Sequence, residues 1–120
     1  KPSDFADLGR AFFTDDFKYD SQAIKKYLSF EQPDEHAALI EALRDLLLAY
    51  RELQVFDLDT TEKALREIGD RHKIKPGRFI GAIRVALTGK TVAPGIFEVI
   101  IVLGRTKTAN RLNDLIGFLQ

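Results

Sequence analysis

The chain has 120 residues, of which 45% are hydrophobic and 30% are charged, and it contains no cysteine and no methionine. This length fits one domain or two small helical lobes, and no apolar run reaches the roughly 20 residues of a membrane span. The missing cysteines exclude disulfides and thiolate metal sites and fit a reducing cytosol. Residue 1 is Lys, so we expect a piece of a longer protein, with removal of an initiator Met as the alternative.

The zero net charge hides an uneven distribution along the chain. Residues 1–60 carry seven basic and thirteen acidic side chains, whereas residues 61–120 carry eleven basic and five acidic ones. From Arg71 to Arg111 the sequence contains nine basic residues and a single acidic residue, Glu98. Such asymmetry is typical of a basic face that binds nucleic acid, although solvated helix faces produce the same pattern.

Apolar spacing predicts four helices in the first part of the chain. Ser3 caps the first, Asp20 the second and Asp34 begins the third, while Asp59 with Glu62 forms a capping box for the fourth. The predicted inward side chains are Phe5, Leu8, Phe12, Ile24, Tyr27, Leu28, Leu39, Leu43, Leu46, Leu47, Tyr50, Leu65 and Ile68.

Three further helices are predicted in the second part. Pro76 suits a first helical position and Gly89 a left-handed end, so the fifth helix lies between them. Pro94 opens the sixth, Gly104 closes it, and the seventh extends from about Thr106 to Leu119. The predicted inward side chains of these three helices are Phe79, Ile83, Ala86, Leu87, Phe97, Ile100, Ile101, Leu103, Ala109, Leu112, Leu115, Ile116 and Leu119. No stretch alternates convincingly as a strand. We therefore predict an all-α fold of about seven short helices in a compact bundle or cage, either single or divided into two small lobes.

The connection at residues 88–95 is polar and punctuated by glycine and proline. Arg78, Arg84 and Lys90 lie on or beside it, so an ordered loop with basic neighbours is predicted to hold a phosphate or a base. Residues 87–91 match only the end of a phosphate-binding P-loop, because Arg84 stands where the first glycine is required and no strand precedes it. A nucleotide site is therefore not expected here.

No catalytic or metal-binding constellation is evident. His36 and His72 are far apart in sequence, and nothing marks out further ligands for a metal. The paired aspartates of residues 15–16 and 57–59 lie in polar turns, where capping and solvation account for them. We expect no catalytic residue, no metal and no cofactor in this stretch.

The residues from Ile83 to Glu98 resemble the C-terminal anticodon-binding region of bacterial-type glutamyl-tRNA synthetases. That family's pattern reads roughly L-R-x-A-L-T-G-x-x-x-x-P-x-L-F-E, and this chain has Ile83-Arg-Val-Ala-Leu-Thr-Gly-Lys-Thr-Val-Ala-Pro-Gly-Ile-Phe-Glu98. The family's later L-G-K-E and R-L segments correspond to Leu103-Gly-Arg105 and Arg111-Leu112. More weakly, residues 11–17 resemble its aromatic-rich F-F-x-D segment.

The resemblance implies two subdomains, a helical lobe at residues 1–58 that continues a first anticodon-binding subdomain and a C-terminal anticodon-binding subdomain at residues 59–120. It implies a monomeric cytoplasmic ligase that attaches glutamate to tRNA with ATP and magnesium in another part of the enzyme, since the H-I-G-H and K-M-S-K-S signatures do not occur here. The expected partner is glutamate tRNA or also glutamine tRNA, and no membrane. The alternative is a helical protein-interaction module with a basic docking face.

Carried over position by position, the resemblance implies that residues on both sides of the connection contact the anticodon bases. Basic residues nearby are expected to contact phosphates. The candidate RNA-binding residues are Arg78, Arg84, Thr88, Lys90, Thr91, Ala93, Pro94, Gly95, Ile96, Phe97 and Lys107. Arg84 is expected either to present its fork of donors to a base edge or to bond Glu98 or the carbonyls of its own helix. Ala93 departs from the hydroxyl residue that the family often has before the proline, which removes one contact.

Overall fold

A computed structural model of the protein describes residues 19, 21–30, 32–89 and 95–120. Within these ranges the regular secondary structure is entirely helical. The elements are α1 (Ser21–Ala23), which runs directly into a π-helical turn (Ile24–Leu28), then α2 (Pro33–Glu52), α3 (Leu58–Arg71), α4 (Pro76–Thr88) and α5 (Ile96–Leu119). The all-α prediction is therefore confirmed for this part of the chain.

The described residues contain five α-helices, so the predicted number of about seven is wrong for them. The helix predicted after Ser3 and the predicted cap Asp20 lie outside the described residues. In the second part, α5 consists of two helical segments that meet at Gly104, so the boundary that the sequence predicts at this glycine is confirmed, although the two segments form one continuous element. Gly104 adopts φ 84° and ψ 171°, so α5 bends at a single non-helical residue and resumes on the other side.

The helix ends test the predicted capping residues. Pro76 occupies the first turn of α4 and Gly89 ends it in a left-handed conformation, as predicted. The predicted cap of α3 is wrong, because Asp57 and not Asp59 precedes the helix. Asp57 Oδ1 accepts a hydrogen bond from the Thr60 N–H at 2.8 Å, and Thr60 Oγ1 accepts one from the Asp57 N–H at 3.0 Å. Thr60, at the third helical position, therefore completes the capping box for which the sequence predicts Glu62.

α5 packs against α2, α3 and α4, and it is the helix that closes the core. Most predicted inward positions are confirmed, because helical spacing of three and four places them on one face. The buried ones are Leu28, Leu39, Leu43, Leu46, Leu47, Tyr50, Leu65, Ile68, Phe79, Ile83, Ala86, Leu87, Ile100, Leu103, Ala109, Leu112, Leu115 and Ile116. The division of the chain at residues 58 and 59 stays a prediction.

Two glycines allow α4 to approach its neighbours closely. A β-carbon on Gly69 of α3 would lie 2.9 Å from Phe79 Cδ2, and one on Gly81 would lie 2.1 Å from Tyr27 Cε1. Both distances are far below van der Waals contact, so only glycine fits without movement of the ring. These contacts hold α4 against α3 on one side and against the π-helical turn on the other, and they fix the helix that leads to residue 88.

Candidate RNA-binding interface

The C-terminal end of α4 is a tightly bonded turn. Gly89 has φ 78° and ψ −2°, and its N–H donates to the Val85 carbonyl oxygen at 2.8 Å. The hydroxyl of Thr88, only 2% exposed, donates to the Arg84 carbonyl oxygen at 2.8 Å. Left-handed backbone favours glycine, so the direction in which the chain leaves α4 is set by this residue and these bonds.

Arg84 lies one turn before Thr88, and its side chain is partly buried. Its Nε atom is buried, and no described residue accepts a hydrogen bond from it. Within the described part of the chain no ion pair joins Arg84 to Glu98, which is exposed. A buried donor without an acceptor costs about 1–3 kcal/mol, which an acceptor on a ligand would recover. The Nε atom of Arg78 is also buried without an acceptor, but Arg78 stacks over Phe30 at the start of α4. Arg84 is therefore the candidate residue near the end of α4 that has a buried donor for a bound base to pair with.

The first residues of α5 come after the connection in sequence. Gly95 is the exposed residue before the helix, and Phe97 is partly buried against the core. Ile96 is only 3% exposed, so its side chain belongs to the core and offers little surface to a ligand. Gly95 and the edge of Phe97 are accordingly the accessible groups on this side.

The remaining candidates fall into two groups. Lys107 lies on α5 beyond the Gly104 bend and is partly buried and engaged in an interaction. The candidates outside the described residues are Lys90, Thr91, Ala93 and Pro94. Arg84 and Thr88 thus lie in the last turns of α4, while Gly95 and the start of α5 follow in sequence. That these residues form one RNA-binding site, and that the lysines contribute to it, remain predictions.

Arg78 lies at the opposite end of α4. Its guanidinium stacks over the ring of Phe30, with the Cζ atom 4.2 Å from the ring centroid, and donates to the Ser29 carbonyl oxygen. Six residues separate Arg78 from Arg84, and at 1.5 Å per residue this places their α-carbons about 9 Å apart along the helix. Arg78 therefore fastens the start of α4 to residues 29–30, apart from the turn at Gly89.

Two arginines of the basic half, which also lie in the segments that resemble the family but are not among the candidate RNA-binding residues, have defined structural positions. Arg111 of α5 is 1% exposed and donates from Nη1 to the Leu87 carbonyl oxygen in the last turn of α4. Arg105 donates to the carbonyl oxygens of Tyr50 and Arg51 at 3.0 Å each, at the end of α2. The signal for Arg111 was readable, since it lies four residues before Leu115 and therefore on the inward face of its helix.

The charge of Arg111 acts on a neighbouring phenol. Burial raises the pKa of Tyr19, Asp114 raises it further, and Arg111 acts in the opposite direction. Tyr19 also packs edge-on against Phe118, with ring centroids 4.9 Å apart. A buried guanidinium thus lies where the start of the described chain meets α5, next to the end of α4.

A cleft on another part of the described surface has a mixed charged lining. A cleft of about 390 Å³ lies between the start of α2 and residues 72–75, where Asp34 and Glu35 share its walls with Lys73 and Lys75. Arg78 also lines this cleft, so three basic side chains stand against two acidic ones, and Arg78 itself is held by Phe30 and Ser29. Among the described residues no three His, Asp or Glu side chains are grouped to hold a metal, and no helix is long and apolar enough to cross a membrane.

Comparison with known proteins places this helical unit in a family. A family model described as "Anticodon binding domain" matches residues 1–116. The chain therefore belongs to the anticodon binding domain family.

Individual relatives narrow the comparison. The chain is 40% identical over 109 residues to glutamate–tRNA ligase 2 of Koribacter versatilis and 36% identical over 112 residues to the glutamate–tRNA ligase of Desulfotalea psychrophila. These alignments cover 91% and 92% of this chain but 22% of each relative, so the chain spans about a fifth of the curated relatives it matches. A crystal structure of a glutamate tRNA ligase from Elizabethkingia meningosepticum shares the fold, with a TM-score of 0.78 over 97% of this chain and 21% of that one, at 21% identity.

Proposed function

We propose that this chain recognises the anticodon arm of glutamate tRNA as the anticodon-binding part of a glutamate–tRNA ligase. The observation that carries the proposal is the buried Nε donor of Arg84, without a described acceptor, one turn before Thr88 and the Gly89 turn. Family membership over residues 1–116 and similarity to glutamate–tRNA ligases support the same assignment.

The chemistry of the turn suits single-stranded RNA. Anticodon bases are unpaired, so a protein can read their edges and stack against their faces. The guanidinium of Arg84 presents planar, parallel donors that match the paired acceptors of a base edge. Gly95 has no side chain and leaves the backbone accessible, and the partly buried ring of Phe97 follows it. Recognition therefore combines one directional side chain with backbone and ring contacts.

The rest of the proposal concerns the longer protein. Glutamate is activated with ATP and magnesium in another part of the ligase, in the cytoplasm, and this stretch selects the tRNA. Glutamine tRNA is a second substrate only if the turn accepts its anticodon as well. The alternative of a protein-interaction module predicts that an acidic protein surface binds better than tRNA does.

The decisive experiment compares Arg84→Ala with Arg66→Ala in the full-length ligase. Arg66 is an exposed arginine on α3 that pairs with Glu62 at 2.8 Å, which makes it a matched control for the loss of one positive charge. Arg84→Ala should weaken binding of cognate tRNA by about 1–3 kcal/mol and reduce discrimination against altered anticodons. Arg84→Lys should recover little of either, because a single ammonium cannot replace the fork. Unchanged anticodon preference in a destabilised Arg84→Ala protein would assign the residue to the fold instead.

Salt dependence tests the phosphate contacts independently. Binding should weaken steeply as salt rises, because lysines that meet phosphates release counterions. Lys90→Ala and Lys107→Ala should each weaken binding to different tRNAs alike and reduce the salt slope by about 1. An affinity for tRNA that does not depend on salt would contradict the proposed electrostatic contribution.

A further inference from the structure

The end of α4 depends on a charge that comes from another helix. The last four carbonyl oxygens of an α-helix have no partner within the helix, and positive charge is favourable there. α4 carries no basic residue in its last turn. Arg111 of α5 supplies the charge instead and donates to the Leu87 carbonyl oxygen.

The burial of Arg111 makes its contact with Leu87 important for the position of the end of α4. Arg111 is 1% exposed, although a guanidinium is among the groups most costly to remove from water. One of its donors, Nη1, is directed at the Leu87 carbonyl oxygen, and this bond ties the position of the guanidinium to the end of α4. Leu87 stands one residue before Thr88 and two before Gly89, at the end of α4.

The hydrogen bonds at the end of α4 come partly from α4 and its cap and partly from α5. The Val85 carbonyl oxygen accepts from Gly89 N–H, and the Thr88 hydroxyl donates to the Arg84 carbonyl oxygen, so both belong to α4 and its cap. The Leu87 carbonyl oxygen alone among these accepts from α5. Through this bond the second half of α5 determines how the last turn of α4 is oriented.

We propose that Arg111 is a positioning residue for RNA recognition, which holds the last turn of α4 so that Arg84 and the start of α5 meet the anticodon together. The inference rests on the proposed function, since it assigns a role at the same site. Arg111 is too buried to touch RNA, so it acts through Leu87 and the turn.

The chain contains a matched control for this role. Arg105 also lies on α5 and also donates to carbonyl oxygens at a helix end, those of Tyr50 and Arg51, but the helix is α2. Replacing Arg105 removes the same chemistry from an end that carries none of the candidate RNA contacts. A general loss of stability should therefore appear in both arginine variants, and a loss of recognition only in one.

The experiment uses the full-length ligase with Arg111→Met, Arg111→Lys and Arg105→Met, assayed well below their melting temperatures. For Arg111→Met we expect the KM for cognate tRNA to rise roughly tenfold, equivalent to about 1.4 kcal/mol, with kcat at saturating tRNA unchanged. Arg111→Lys, which keeps a donor and a charge, should fall between the wild type and Arg111→Met. Arg105→Met should melt at a lower temperature and keep the KM of the wild type.

The outcomes separate this inference from the proposed function. A wild-type ligase that does not bind tRNA would remove the proposed function, and the inference with it. Wild-type binding together with an unchanged KM in folded Arg111→Lys and Arg111→Met proteins would overturn the inference alone. If Arg111→Met does not fold, Arg111→Lys decides the matter, because an unchanged KM there shows that the arginine only stabilises the fold.

Discussion

The ring of Tyr27 lies so close to Gly81 that a β-carbon at position 81 would fall 2.1 Å from Tyr27 Cε1. Gly81 is buried in α4, and Tyr27 belongs to the π-helical turn that packs against this helix. The contact explains why a helix interior tolerates glycine here, in spite of its low helix propensity.

This relationship predicts that Gly81→Ala destabilises the protein by about 1–3 kcal/mol, because the ring must move and the packing around it must change. Gly77→Ala is the matched control in the same helix, since no atom lies within 4 Å of a β-carbon there. The control should be neutral or up to about 1 kcal/mol more stable, as alanine is the better helix former. Chemical unfolding of both variants measures the difference, and equal stabilities would contradict the close packing.

The bend in α5 gives a second prediction. Gly104 has φ 84° and ψ 171°, a conformation that side chains with a β-carbon rarely adopt, while the space around it is open. Gly104→Ala should therefore cost about 1–3 kcal/mol through backbone strain alone. Gly117→Ala, on the same helix and also without neighbours within 4 Å, should cost nothing. Thermal melting distinguishes the two, and a neutral Gly104→Ala would mean that α5 can straighten without loss.

A third prediction concerns the buried phenol of Tyr50, which donates to the Thr61 carbonyl oxygen at 2.8 Å. Burial raises the pKa of Tyr50 above its ordinary value of 10.0. Its contribution to stability is therefore complete below pH 10 and declines as pH rises further, because the unfolded chain loses the proton first. Tyr50→Phe should cost about 0.5–1.5 kcal/mol at neutral pH and make the alkaline decline of the unfolding free energy shallower.

The control for Tyr50 is Tyr27→Phe, which removes a hydroxyl from a ring that is only partly buried. This change should affect stability at neutral pH less than Tyr50→Phe does. Urea titrations at several pH values above 9 supply the measurement. An unaltered alkaline slope in Tyr50→Phe would show that another group is responsible for it.

The fourth prediction concerns the cap of α3. The backbone N–H of Thr60 bonds the Asp57 carboxylate, and this bond together with the Thr60 side chain lowers the pKa of Asp57 from its ordinary value of 3.8. A lowered pKa in the folded state means that the contribution is present above pH 3.8 and is lost as pH falls through the folded value. Asp57→Asn keeps an oxygen for the cap but cannot titrate. Its melting temperature should lie below that of the wild type at neutral pH, and the gap should close in acid.

A gap of constant size down to the lowest pH at which the protein folds would contradict this assignment for Asp57. Asp59→Asn provides the matched control, since Asp59 lies in the first turn of α3 but does not precede the helix. At neutral pH the melting temperature should fall less in this control than in Asp57→Asn, because Asp59 does not cap the helix.

Local sequence determined the helical framework. Pro76 and Gly89 mark the ends of α4 because proline and glycine restrict or permit particular backbone angles whatever surrounds them. The apolar residues of α2, such as Leu39 and Leu43, are buried as predicted, because spacing along a helix decides which side chains share a face. The pattern from Ile83 to Glu98 likewise led to the family from sequence alone.

Only the tertiary structure determined which groups the charged residues bond and which side chains pack against the glycines. Arg78, Arg105 and Arg111 are alike in sequence as members of a basic half, yet each bonds carbonyl oxygens of a distant segment, as Arg105 does with Tyr50 55 residues away. The same holds for Gly69, which lies against the ring of Phe79. Helical periodicity relates residues that are three or four positions apart in sequence. Which group bonds a buried charge, and which side chain packs against a glycine, depends instead on how whole helices pack against one another.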